Sequence, residues 1–186
     1  SDIAVTERAG QTQLFVASRN ADNGGIASVT LTTNCSLASA FNDVYEIKPV
    51  FSIAFSSPTS NMGVAGIDGD GSPGAIFTTN GGLGWTSTSS AIDNRGLSVT
   101  FGEGGTAFSI GNTDGFYSSN DDGRTWLTIA SRFANPPNVV RSINSTVWLG
   151  TNGSGVLIFD RAAANPLTPL SDCLLYTSDA ADEWLR

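Results

Sequence analysis

The chain has 186 residues, 40% of them hydrophobic, with 21 glycines, 14% charged residues and a formal net charge of −8. That length and apolar content allow one domain with a full core and argue against disorder. A single lysine, Lys48, and eight scattered arginines leave no basic stripe for a phosphate backbone, so nucleic acid is not an expected partner.

The absence of histidine removes the commonest general base and metal ligand, which excludes zinc sites and Ser-His-Asp catalysis within this chain. Cys35 and Cys173 are too few for a disulfide framework and lack metal-ligand spacing. No apolar run is long enough to span a bilayer, so membrane insertion is not expected. The chain opens mid-pattern at Ser1-Asp2-Ile3, without an initiator Met or a signal peptide, and reads as a fragment.

In chain order, the runs predict a repeating four-stranded unit. Gln13–Ala17 reads as a second strand and Ser28–Asn34 as a third with its turn. Phe51–Phe55 alternates as a half-buried first strand, followed by Gly63–Ile67 and Ala75–Phe77. Leu97–Phe101, Thr106–Gly111 and Phe116-Tyr117 repeat that series. Val139–Ile143, Thr146–Gly150 and Gly155–Phe159 give it again. After two of the third strands stands a turn of one pattern: Thr78-Thr79-Asn80-Gly81-Gly82-Leu83-Gly84-Trp85 and Ser119-Asn120-Asp121-Asp122-Gly123-Arg124-Thr125-Trp126. Side-chain oxygens there can bond the backbone ahead, glycine takes positive φ, and the Trp is expected to start the return strand over the turn. Trp85 and Trp126 are 41 positions apart, one blade of a propeller. A degenerate copy, Thr32-Thr33-Asn34, has Cys35, Ser36 and Ser39 where the two glycines and the Trp would stand, and Asp160-Arg161-Ala162 carries no copy.

The two full copies resemble the Asp-box (BNR) repeat of sialidases, sortilin-type domains, xyloglucan-active glycoside hydrolases and photosystem II assembly factors. That resemblance implies an all-β propeller of about four antiparallel four-stranded blades, at 1–46, 47–93, 94–136 and 137–171. Thr78, Asn80, Gly82, Trp85, Ser119, Asp121, Gly123, Thr125 and Trp126 are then structural turn residues on the rim away from the ligand face. Residues 172–186 resemble a translated sequencing adapter of the kind found at the ends of metagenomic reading frames, and are set aside as non-native. A sialidase site would need an arginine triad and a Phe/Tyr-Arg-Ile-Pro segment. The segment is absent, and Arg95, Arg132 and Arg141 do not sit in that context.

Meander topology puts the loops between second and third strands on the face opposite the box turns, with the connections between blades. Asp22, Asp68, Asp70 and Asp114 could share that rim, as an acid/base pair on a glycoside or as calcium ligands. Asp68, Asp70 and Asp114 are the catalytic candidates; plain Asn-Gly and Asp-Gly turn chemistry is the preferred account of all four. Asp68-Gly69-Asp70-Gly71-Ser72 starts like a calcium loop but lacks the closing bidentate Glu. No cofactor or metal is expected beyond that possible Ca²⁺. Trp85, Trp126 and Trp148 read as packing, Asp93 and Glu103 as solvated turn residues, and Tyr45 and Phe133 as the aromatics of the ligand-face connections. An anion site near Arg95, Arg132 and Arg141 is the remaining option.

The expected function is a binding or scaffold module of a secreted or cell-surface propeller, completed by further blades of the same chain and taking a carbohydrate or protein ligand on its face. The alternative is part of a glycoside hydrolase acting on polysaccharide, xyloglucan-active or sialidase-like.

Overall fold

A computed structural model of the chain describes residues 2–20, 24–69, 73–89, 92–93, 95–112, 115–131, 133–161 and 167–169. Among the described residues, sixteen strands build four antiparallel sheets, each a meander of four strands consecutive in sequence. The first sheet holds β1 (Asp2–Arg8), β2 (Gln11–Ser18), β3 (Gly25–Leu31) and β4 (Asn42–Tyr45). The second holds β5 (Val50–Phe55), β6 (Gly63–Ile67), β7 (Ala75–Thr78) and β8 (Thr86–Ser87). The third holds β9 (Gly96–Phe101), β10 (Ala107–Gly111), β11 (Phe116–Ser119) and β12 (Leu127–Ala130). In the fourth, β13 (Pro137–Ile143), β14 (Thr146–Thr151), β15 (Val156–Phe159) and β16 (Leu167–Pro169) close the series. The alternating runs thus form strands where they were expected; β1, β4 and β16 carry no signal that the sequence reading used. No helix among the described residues is long and apolar enough to cross a membrane.

The core lies between sheets, in three layers. Phe15, Ala17 and Ile26 of the first sheet meet Ile53, Ala65, Ile67 and Ile76 of the second. Val64 and Ala75 meet Val99, Ala107, Tyr117 and Trp126. Phe108, Ile110 and Phe116 meet Val140, Val147, Leu149 and Phe159. Period-2 alternation is what makes this possible: neighbours on one strand serve different layers, as Val64 and Ala65 do. Each fully buried Phe or Ile contributes about 1.5–3 kcal/mol of transfer free energy.

The first strands of successive sheets lie side by side, β1 against β5, β5 against β9 and β9 against β13. A polar ladder stitches them. Asp2 Oδ2 accepts from the Ile53 amide at 3.1 Å and from Ser52 Oγ at 2.9 Å. Ser52 Oγ accepts from the Val99 amide at 3.2 Å, and Ser98 Oγ from the Val140 amide at 3.2 Å. Each acceptor satisfies a first-strand amide of the next sheet. The corresponding place on β13 is Val139, whose side chain has no acceptor to offer.

Alternating strand direction sorts the connections onto two faces. The β2–β3, β6–β7, β10–β11 and β14–β15 loops share one face with the links between sheets. The box turns share the other with the loops joining first and second strands.

Candidate functional site

The box turns show how this sequence folds locally. Ser119 Oγ accepts from the Gly123 amide at 2.9 Å and donates to Asp121 Oδ1 at 2.8 Å. Asp121 also accepts from the Thr125 amide at 2.9 Å and from Thr125 Oγ1 at 2.6 Å. Burial raises the pKa of the Asp121 carboxyl, but the bonds from Thr125 and Ser119, with the Arg124 charge, outweigh it and hold the group below its ordinary value. In the earlier copy Thr78 Oγ1 accepts from Gly82 N at 3.0 Å and donates to Asn80 Oδ1 at 2.8 Å. The degenerate copy keeps the first of these bonds, Ser36 N to Thr32 Oγ1 at 3.2 Å, and Cys35 takes φ +58° where Gly81 has +70°.

These turns face the neighbouring sheet. A Cβ on Gly123 would stand 2.3 Å from Val64 Cγ1, and one on Gly82 would stand 2.5 Å from the Phe15 ring. Trp126 is buried in the second core layer with Nε1 donating to Gly123 O at 3.0 Å. Trp85 is half-buried against Phe55, centroids 6.1 Å apart. The return strands begin at Thr86 and Leu127 rather than at the Trp residues, which are held by the turns themselves. The Asp121 carboxylate is consumed by its own turn.

In the fourth sheet, Phe159 pairs with Val147 as Thr78 pairs with Gly63 and Ser119 with Ala107. Phe159 therefore stands at the box hydroxyl position. Beside it, over Phe108 and Val147, opens a cleft of about 510 Å³ that also touches Glu103, Asp160 and Arg161. Phe108 is the counterpart of Val64, so this cleft occupies the place that a box glycine covers one sheet earlier.

On the opposite face, Asp68 is the one aspartate candidate that lies among the described residues. Asp68 follows β6, with its amide bonded to Pro49 O at 2.9 Å. Its backbone is bridged to Arg95, and its Oδ2 takes Arg95 Nη2 at 2.9 Å. Asp22, Asp70, Asp114 and Arg132 lie outside the described residues, as does the 172–186 tail. Among the described residues no three His, Cys, Asp or Glu side chains come together as a metal site.

Several other readings need correction. Arg141 lies on β13, in the run expected to form a first strand, and its guanidinium is engaged there, donating to Ser98 Oγ at 3.2 Å and Val140 O at 2.8 Å. Tyr45 ends β4, where burial raises its pKa. Trp148 is only half-buried, on the outward face of β14, where no core layer lies. Asp93 is not a solvated turn residue: it takes a hydrogen bond from Tyr117, whose hydroxyl is pushed up to about 12, mainly by burial and then by that carboxylate. Glu103 is exposed in a 3₁₀ turn, as expected.

The sequence reading missed a group that forms only in three dimensions. Register slips by one residue around Phe51, Leu97 and Asn138 at the start of three first strands. Such bulges re-aim a side chain. Phe51 is left half-buried at the loop face. The Arg19 guanidinium lies 4.8 Å from its ring centroid and that of Arg95 lies 6.0 Å away. Lys48 is close to the same face, its Nζ bonded to Gly69 O. These residues belong to different strands and connections, with no common spacing in sequence.

No protein-family model and no curated protein matches the chain in sequence. Solved structures match it in shape. A structure of YCF48 bound to D1 peptide superposes with a TM-score of 0.58 at 16% identity, covering 87% of this chain and 51% of that one. The GH74 enzyme of Niastella koreensis gives 0.58 at 19% identity, covering 86% and 28%. YCF48 from Cyanidioschyzon merolae gives 0.53 at 13%, covering 85% and 51%. The chain thus spans about half the length, or less, of the solved chains it resembles. The shared shape, together with four meander sheets packed face to face, makes this chain an all-β protein of β-propeller blades.

Proposed function

We propose that this chain is a non-catalytic binding module of an Asp-box propeller, taking its ligand on the loop face opposite the box turns. The observation that carries the reading is the Asp68–Arg95 pair at 2.9 Å. An acid or base at a glycosidic bond must keep an oxygen available to the leaving group or to water. The one described catalytic candidate instead has an oxygen engaged by a guanidinium and its backbone fastened across two sheets. YCF48 bound to D1 peptide supports a peptide ligand; the GH74 resemblance supports the competing hydrolase reading. An acidic surface with one lysine fits work outside the cell or at its surface. The outward apolar faces of the first and fourth sheets fit further blades of the same ring.

Reducing-end release from xyloglucan and other soluble β-glucans tests the reading. The chain is expected to give no turnover above blank. Turnover that Asp68→Asn abolishes would establish the hydrolase instead.

A further inference from the structure

We propose that Arg19, Phe51 and Arg95 form a subsite for an acidic side chain of an extended peptide. The inference rests on the binding-module reading and names the ligand chemistry of the same face. The chain carries eight arginines and one lysine against a net charge of −8. Even so, three of these cations, Arg19, Lys48 and Arg95, gather at one face. They are not equivalent. Arg95 is tied to Asp68 at 2.9 Å, and Lys48 is engaged by Gly69 O. Arg19 is exposed, and no carboxylate among the described residues pairs with it. Its guanidinium is 4.8 Å from the Phe51 centroid.

A guanidinium resting on an aromatic ring is held by the ring quadrupole and keeps its edge donors outward. Those donors match a carboxylate in a two-bond fork, stronger than a neutral hydrogen bond. Placing Phe51 at a register slip supplies the ring where an ordinary strand would alternate past it. The ion pair with Asp68 fixes Arg95 beside the same ring and largely cancels its charge, so Arg95 helps to position the ring and Arg19 is the open partner. A pyranose would need an uncovered ring face for stacking, and a guanidinium lies over the Phe51 ring. An acidic residue flanked by apolar side chains meets both parts, the fork and the exposed ring edge. The long-range field of an acidic protein disfavours anions, so recognition is short-ranged and modest in affinity.

The test is a titration of the whole chain with acetyl-Leu-Glu-Leu-Glu-Leu-amide, followed by NMR at the Arg19 side-chain N–H and the Phe51 ring. Saturating shifts at both groups are expected, with a dissociation constant below about 1 mM. Arg19→Ala should weaken binding about 10-fold, near 1.4 kcal/mol. Arg19→Lys should restore only part, because it returns the charge without the fork. Arg19 is exposed, so neither variant threatens the fold, and Phe51→Ala is left as a secondary check read only if its amide spectrum stays native. No saturation by about 5 mM, equal binding by the Gln-for-Glu peptide, or wild-type affinity in Arg19→Ala overturns the proposal. Tighter binding of a galacturonic acid tetramer at the same resonances also overturns it, in favour of an acidic sugar. Polysaccharide hydrolysis with acidic-peptide binding intact would overturn the binding-module reading while leaving the subsite. Failure of the peptide without hydrolysis would remove the subsite alone.

Discussion

At the scale of single residues, Asp121 shows how a carboxylate can look functional in sequence and be spent on its own turn. It takes three bonds, from Ser119 and Thr125. Asp121→Ala is expected to lower stability by about 1–2 kcal/mol, the range for hydrogen bonds to a charged group at a largely exposed site, read from the denaturant midpoint. Asp121→Asn should lower it less, because Asn80 already serves the earlier turn. The Asp121 carboxyl titrates below its unfolded value. Its contribution is therefore present above about pH 4 and lost as pH falls through the folded value, and Asp121→Asn should flatten the acid limb of the stability curve. Tyr117 works in the other direction. Its pKa is raised from 10.0 to about 12, so the folded state keeps a proton that the unfolded chain releases. Stability should be intact below pH 10 and fall between 10 and 12. A melting-temperature drop between pH 10 and 12 that does not shrink in Tyr117→Phe would contradict the burial of this hydroxyl beside Asp93.

At the scale of elements, the box turn is a clamp between sheets. Its glycine is required twice at position 123, by φ +87° and by Val64 at 2.3 Å. Gly104 has a comparable φ of +73° but open space around its missing Cβ. Comparing the two alanine variants separates backbone strain from docking. Gly104→Ala is expected to cost about 1 kcal/mol, and Gly123→Ala to add at least about another 1–2 for the overpacked contact. Equal losses in urea denaturation would mean that the turn does not bear on β6. Much of this level was legible in the sequence. The two-residue alternation of Phe51–Phe55 and Leu97–Phe101 sets strand and face directly, and the Ser/Thr-x-Asp/Asn-x-Gly order sets the turn. The strands that escaped notice did so for physical reasons. β4 and β16 are only four and three residues long. Short outer strands carry too little burial to impose a pattern. β1 has no preceding repeat to be compared with.

At the scale of the whole molecule, the layers of core lie between sheets, so among the described residues each end of the series leaves one apolar face uncovered. Ile3 and Val5 of β1 are 64% and 52% exposed, and Ile143 of β13 is 60% exposed. Patches of this kind associate. The chain is expected to self-associate at concentrations where Ile3→Lys together with Ile143→Lys stays monomeric by light scattering, with little change in the melting temperature because neither side chain is in a core layer. Loss of folding in that double variant would show the faces to be covered within the chain. The sequence by itself determined the fold class, the meander and the box turns, because these rest on local chemistry: alternation, side-chain-to-backbone bonds and positive φ. Which carboxylates meet, and which cations share a ring, was decided only by the tertiary structure. Asp68 and Arg95 are brought together by a bridge between sheets, and Arg19 and Phe51 by two sheets packing side by side. Neither distance has any counterpart in sequence spacing.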